Sequence, residues 1–146
     1  MTAVASSPTS QQLRLVQAKP QLPPRLRLEA ATYTSDKLVL VLLVLDNRHK
    51  PTRESVRVEF LGLDSFRISE EGVMINTMHR IAPLNLTKSN FMELYNSQYL
   101  MWACEERGES RLSEGWRHFI IYTSNEVIEV LGKSEPSVTV GPFHNE

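Results

Sequence analysis

The residues of this 146-residue chain with the types to do chemistry are four histidines, one cysteine and a crowd of glutamates in its last third. His49, His79, His118 and His144 stand apart, and none is paired at the spacing of a zinc-binding His-Glu-x-x-His helix. No metal site is expected. His118 shares strand parity with Trp116, Ile120 and Tyr122, which fits a hydrogen-bonded histidine at the rim of a core better than a ligand or base. Cys104 and His118 are the types of a nucleophile and its base. Cys104, however, follows Met101-Trp102-Ala103, and a free cysteine among apolar neighbours is usually a small core filler. Glu105, Glu106, Glu109 and Glu114 share one polar stretch. General acid–base work needs two carboxylates held rigidly with their pKa values pushed apart, which an exposed loop does not supply. The chain carries no GxSxG elbow, no P-loop and no Gly-x-Gly-x-x-Gly cradle. The sequence therefore points to no catalytic residue, no metal and no cofactor.

The elements that would hold these residues are dominated by strands. Leu38-Val39-Leu40-Val41-Leu42-Leu43-Val44-Leu45 is fenced by Lys37 and Asp46. Eight apolar β-formers are too few to span a bilayer as a helix and read as a strand covered on both faces. Before it, Leu26, Leu28 and Ala30 alternate with Arg25, Arg27 and Glu29, a half-buried strand joined through Ser35-Asp36 as an antiparallel hairpin. Asp46-Asn47-Arg48-His49-Lys50-Pro51 is a loop. Alternation returns at Val56, Val58 and Phe60 and again at Phe66 and Ile68, with a bend at Gly62-Leu63-Asp64.

Residues 1–24 read as an irregular, Pro-rich lead-in, with room for a short helix over 11–18, and residues 25–146 as one domain. Residues 73–98 are the hardest to read; Asn90-x-x-Glu93 is a capping box for a short helix. Residues 99–104 and 116–122 are expected to form a hairpin around a long charged loop. At 127–131 a capping box, Thr123-x-x-Glu126, competes with β-branched Val127, Ile128 and Val130, and the strand is favoured. Residues 137–140 suggest a last edge strand. The expected class is α+β, mainly an antiparallel β-sheet meander with one or two short helices.

Composition narrows the partners. With 41% apolar and 23% charged residues the chain can fold as one unit. Lys and Arg outnumber Asp and Glu by 12 to 8 over residues 1–91 and are outnumbered 4 to 9 over residues 92–146, so a net +4 precedes a net −5. No basic stripe suits nucleic acid, whereas the acidic end can steer a basic protein. Tyr99, Trp102, Trp116, Phe119 and Tyr122 stand in that acidic part, where core packing or a protein interface explains them better than base stacking. One cysteine excludes a disulfide framework and suggests a reducing, cytoplasmic setting. Residues 1–10 lack the basic start and apolar run of a secretory signal, and no segment is long enough to cross a membrane. Oligomeric state is left open.

Two stretches carry a family resemblance. The first is Val56-Arg57-Val58-Glu59-Phe60-Leu61-Gly62-Leu63-Asp64-Ser65-Phe66-Arg67-Ile68-Ser69-Glu70-Glu71. The second is Tyr99-Leu100-Met101-Trp102, followed by His118-Phe119-Ile120-Ile121-Tyr122-Thr123 and Val127-Ile128-Glu129-Val130-Leu131. In these the chain resembles small bacterial immunity proteins of polymorphic toxin and contact-dependent inhibition systems. The resemblance implies a non-catalytic, mostly antiparallel domain that binds and blocks one toxin. It brings no fixed binding residues, and the Pro-rich start and near-neutral charge depart from it. The expected contact surface is Glu105, Glu106, Glu109 and Glu114 with Trp116 as a neighbouring aromatic. The alternative is a secretion chaperone or adaptor for an effector protein, which predicts a helix-rich dimer. A small enzyme or ligand-binding barrel, the third reading, would need an apolar pocket with converging polar groups.

Overall fold

The computed structural model describes residues 14–70, 90–95, 97–108 and 115–142. They form nine strands and one helix: β1 (Arg14–Gln17), β2 (Leu26–Thr34), β3 (Lys37–Leu45), β4 (Pro51–Leu61), β5 (Ser65–Glu70), β6 (Phe91–Tyr95), α1 (Gln98–Arg107), β7 (Arg117–Tyr122), β8 (Glu126–Gly132) and β9 (Ser137–Pro142). The strands make two antiparallel sheets. One has the order β1-β6-β7-β8-β5 and the other β2-β3-β4-β9. The mainly antiparallel α+β class read from the sequence is the one observed.

Local chemistry explains the hairpins. Ser35 and Asp36 both adopt positive φ, 48° and 56°, the conformation a two-residue turn needs to match strand twist. Asp46 closes the β3–β4 loop by accepting the amides of Arg48 and Lys50 at 2.8 and 3.0 Å. At the β7–β8 turn the Thr123-x-x-Glu126 pair makes its reciprocal contacts, Glu126 N–H to Thr123 Oγ1 at 2.9 Å and Thr123 hydroxyl to Glu126 Oε1 at 2.7 Å. They close a hairpin, and residues 127–131 are strand.

The two sheets pack face to face through Leu38, Leu40, Leu42, Val56, Val58 and Phe60 on one side and Phe91, Phe119, Ile121, Ile128 and Val130 on the other. Phe119 sits between Phe60 and Phe91 with ring centroids 5.7 and 5.9 Å away. The apolar run at 38–45 is thus an inner strand of the four-stranded sheet. Its even positions face this core, while Val39 and Leu43 on the opposite face lie between β2 and β4, opposite Thr32 and Glu59, and Arg27 and Ser55. Long polar side chains shield such positions with their aliphatic stems.

Three expected elements differ. The short helix considered for 11–18 is replaced, where described, by β1, which pairs with β6. The capping box at Asn90-x-x-Glu93 begins a strand instead, because Glu93 is held inside by Arg117 through two hydrogen bonds of 2.8 Å. Residues 99–104, expected as half of a hairpin, lie in α1, which inserts between paired strands β6 and β7. Ser97 caps its start, accepting Leu100 N–H at 3.1 Å, and Gly108, in the left-handed region at φ 63°, ends it.

Candidate functional site

The alternation of β7 and β8 sends Phe119, Ile121, Ile128 and Val130 into the sandwich, so His118, Ile120, Glu129 and Leu131 point to the other face. α1 covers part of that face, burying Tyr99, Leu100 and Ala103 against Leu131 and half-buried Trp116. Between helix and sheet lies a closed chain of polar groups. Ser97 Oγ is 2.7 Å from His118 Nδ1, and His118 Nε2 is 3.0 Å from Glu129 Oε1. Arg67, on neighbouring β5, grips Glu129 with two donors. Its guanidinium lies 4.1 Å from the centre of the Tyr99 ring, and Tyr99 OH meets Ser65 Oγ at 2.9 Å. The Tyr99 ring also stands edge-on to His118, 5.3 Å away.

The partners set the hydrogen positions. Carboxylate Glu129 only accepts, so Nε2 carries the imidazole hydrogen; Nδ1 accepts from the Ser97 hydroxyl, whose oxygen takes the Leu100 amide. A neutral ring satisfies every group. Burial would raise the pKa of Glu129, but hydrogen bonds from His118 and Arg67, with the Arg67 charge, outweigh it and hold the carboxyl below its ordinary value of 4.5. Burial pushes the Tyr99 hydroxyl up, with the Ser65 hydrogen bond opposing. On the same face the Tyr122 hydroxyl is buried with no hydrogen-bond partner among the described residues. Burial, then the Glu129 charge, moves its pKa up to about 12.

Serine, imidazole and carboxylate in hydrogen-bond sequence is the arrangement of a nucleophile, its base and the group that orients the base. Here Ser97 and His118 are each 1% exposed and Glu129 is wholly buried. Ser97 Oγ is engaged as a helix cap, and both nitrogens of His118 are engaged too. The arrangement joins α1 to the sheet and fixes its orientation. Cys104 is not the partner of either ring nitrogen. Among the described residues no group of three or more His, Cys, Asp or Glu could hold a metal ion, and no helix is long and apolar enough to cross a membrane.

Of the expected contact residues, Glu105 and Glu106 are exposed in the last turns of α1, not in a loop. Trp116 packs under the helix, with Lys133 Nζ 5.2 Å from its ring centre. Glu109 and Glu114 lie outside the described residues. The structure thus joins two of the five on one surface and adds residues the sequence had not singled out. Gln98, Met101, Trp102, Glu105 and Glu106, at helical spacing, form the solvent side of α1, where Trp102 is 53% exposed. The neighbouring Tyr99 ring stacks on Trp102 at 6.0 Å and backs it from the buried side. Neither glutamate forms an ion pair among the described residues, although both sit at the negative end of the helix dipole, where carboxylates are disfavoured. Comparison of the chain with protein-family models, curated proteins and solved structures finds no significant match.

Proposed function

We propose that the protein is a non-catalytic binding module that docks through the solvent side of α1, and that its partner is a bacterial toxin which it neutralises in the cytoplasm. The observation that carries the reading is the grouping, on one rigidly anchored helix, of exposed Met101 and Trp102 with Glu105 and Glu106, which form no ion pair among the described residues. Exposed aromatic anchors beside charge are the common ingredients of binding hot spots. Carboxylates placed against the helix dipole cost local stability, and a basic partner gives them a use. The complementary surface is an apolar socket for Trp102 rimmed by Lys and Arg. The toxin class comes from the sequence resemblance. The chaperone alternative calls for extended helices, whereas the helix among the described residues has ten residues.

The test is co-expression with the toxin-like product of an adjacent reading frame. The wild-type chain should rescue growth and bind the toxin. Trp102→Ala combined with Glu105→Lys and Glu106→Lys should abolish both, while surface changes of this kind leave stability within about 1 kcal/mol. Binding that survives the triple change places the interface elsewhere, and absence of rescue by the wild type removes the toxin reading.

A further inference from the structure

We propose that β9 is a self-pairing edge: two copies of the chain join antiparallel about a two-fold axis at Thr139, continuing the four-stranded sheet from one molecule into the next. Among the described residues β9 pairs with β4 on one side only, residues 137–142 opposite residues 59–54. Among the described residues nothing pairs with its other side, which is a template for another strand unless charge, proline, a bulge or a covering element blunts it. The other described edges are blunted. β2 carries Arg27 and Glu29 and a register shift between Leu28 and Ala30, β5 carries Arg67 and Glu70, and β1 is four residues long and includes Arg14. Ser137-Val138-Thr139-Val140-Gly141 has no charge and no bulge, and Pro136 and Pro142 frame it.

The segment is also complementary to itself. Two-fold pairing at Thr139 sets Val138 against Val140 of the second copy, Ser137 against Gly141, and Thr139 against Thr139. Valines would then meet on one face and Thr meets Thr on the other, both favourable cross-strand pairs. Val140 has the parity of Val138 and Val56, which face the sandwich core, yet it is 55% exposed. A second β9 covers it. Charge permits the arrangement: the nearest facing like charges, Arg57 of each copy, stand opposite Thr139 and end up three strand spacings apart, about 14 Å. That exceeds the screening length of roughly 8 Å at physiological salt. A strand junction buries less than the ~1,000 Å² of a lasting interface, so the dimer is transient.

Sedimentation velocity on the full chain over a range of concentrations provides the test. The wild type should shift from monomer to dimer, and Val140→Lys should weaken association at least about tenfold. Thr139→Lys, at an exposed position, should do the same should Val140→Lys fail to fold. Directly opposed residues of antiparallel strands bring their Cα atoms to about 5 Å, within disulfide reach. Thr139→Cys should therefore cross-link on oxidation through position 139, with the wild type, which keeps Cys104, as control. A wild type that stays monomeric throughout, a dimer indifferent to both lysine variants, or cross-links formed only through Cys104 would overturn the proposal.

Discussion

The two faces of the five-stranded sheet solve the same task by different physics. The inner face meets the other sheet through Phe91, Phe119, Ile121, Ile128 and Val130, a contact that needs volume and little direction. The outer face meets α1 through Ser97, His118, Glu129, Arg67 and Tyr99, where each hydrogen bond fixes a direction. Apolar packing supplies most of the stabilisation. The polar chain decides where along the sheet the helix sits, because sliding α1 by one residue would leave buried donors and acceptors unmatched.

Five variants test that division, in falling order of effect. Phe119→Ala empties the centre of the inner face and should cost about 4 kcal/mol in denaturant unfolding. Glu129→Ala leaves buried His118 without its acceptor. Because Arg67 is 45% exposed and can return to water, the cost should be about 2–3 kcal/mol, below that of breaking a fully buried pair. If direction rather than strength is what the outer face supplies, replacing Arg67, His118 and Glu129 together by Met, Leu and Leu should cost less than Glu129→Ala alone. Acid separates the faces too. The Glu129 carboxyl binds protons less readily folded than unfolded, so its stabilisation is in place above about pH 4.5 and is lost as pH falls further. The acid limb of a stability–pH profile should flatten in Glu129→Ala and keep its slope in Phe119→Ala.

Ser97→Ala removes both a helix cap and the partner of His118 Nδ1, and should cost about 1–2 kcal/mol, with the loss of helix signal preceding that of the sheet. Tyr122→Phe runs the other way. Deleting a buried hydroxyl that lacks a partner among the described residues should raise stability by about 0.5–1 kcal/mol, read as a higher midpoint.

Sequence pattern was a good guide to some of these parts and a poor one to others, for identifiable reasons. The β2–β3 hairpin and strands β4, β5, β7 and β9 follow from alternation and turn residues, signals carried within each segment. α1 was hidden because its exposed positions include Met101 and Trp102. Apolar residues on both sides erase the helical period that Tyr99, Leu100 and Ala103 would otherwise show. The bracket of Ser97 and Gly108 was the available cue. β6 was hidden because Glu93 looks like a surface residue until Arg117, 24 positions away, is seen to hold it. His118 is hydrogen-bonded, as its parity suggests, but lies buried between the five-stranded sheet and α1 and not at the rim of the sandwich core. Its partners come from β8 and the start of α1, and only the tertiary structure assembles them. One clue was visible, since a lone carboxylate at Glu129 inside an apolar strand demands a partner.

The chain leaves the sheet at the end of β6 and comes back on the adjacent rung, β7, so the whole helical excursion hangs from two neighbouring points of the framework. Its outward residues touch none of the sandwich interior. New specificities can therefore arise there by exchange of a few side chains, while the frame behind it stays as it is.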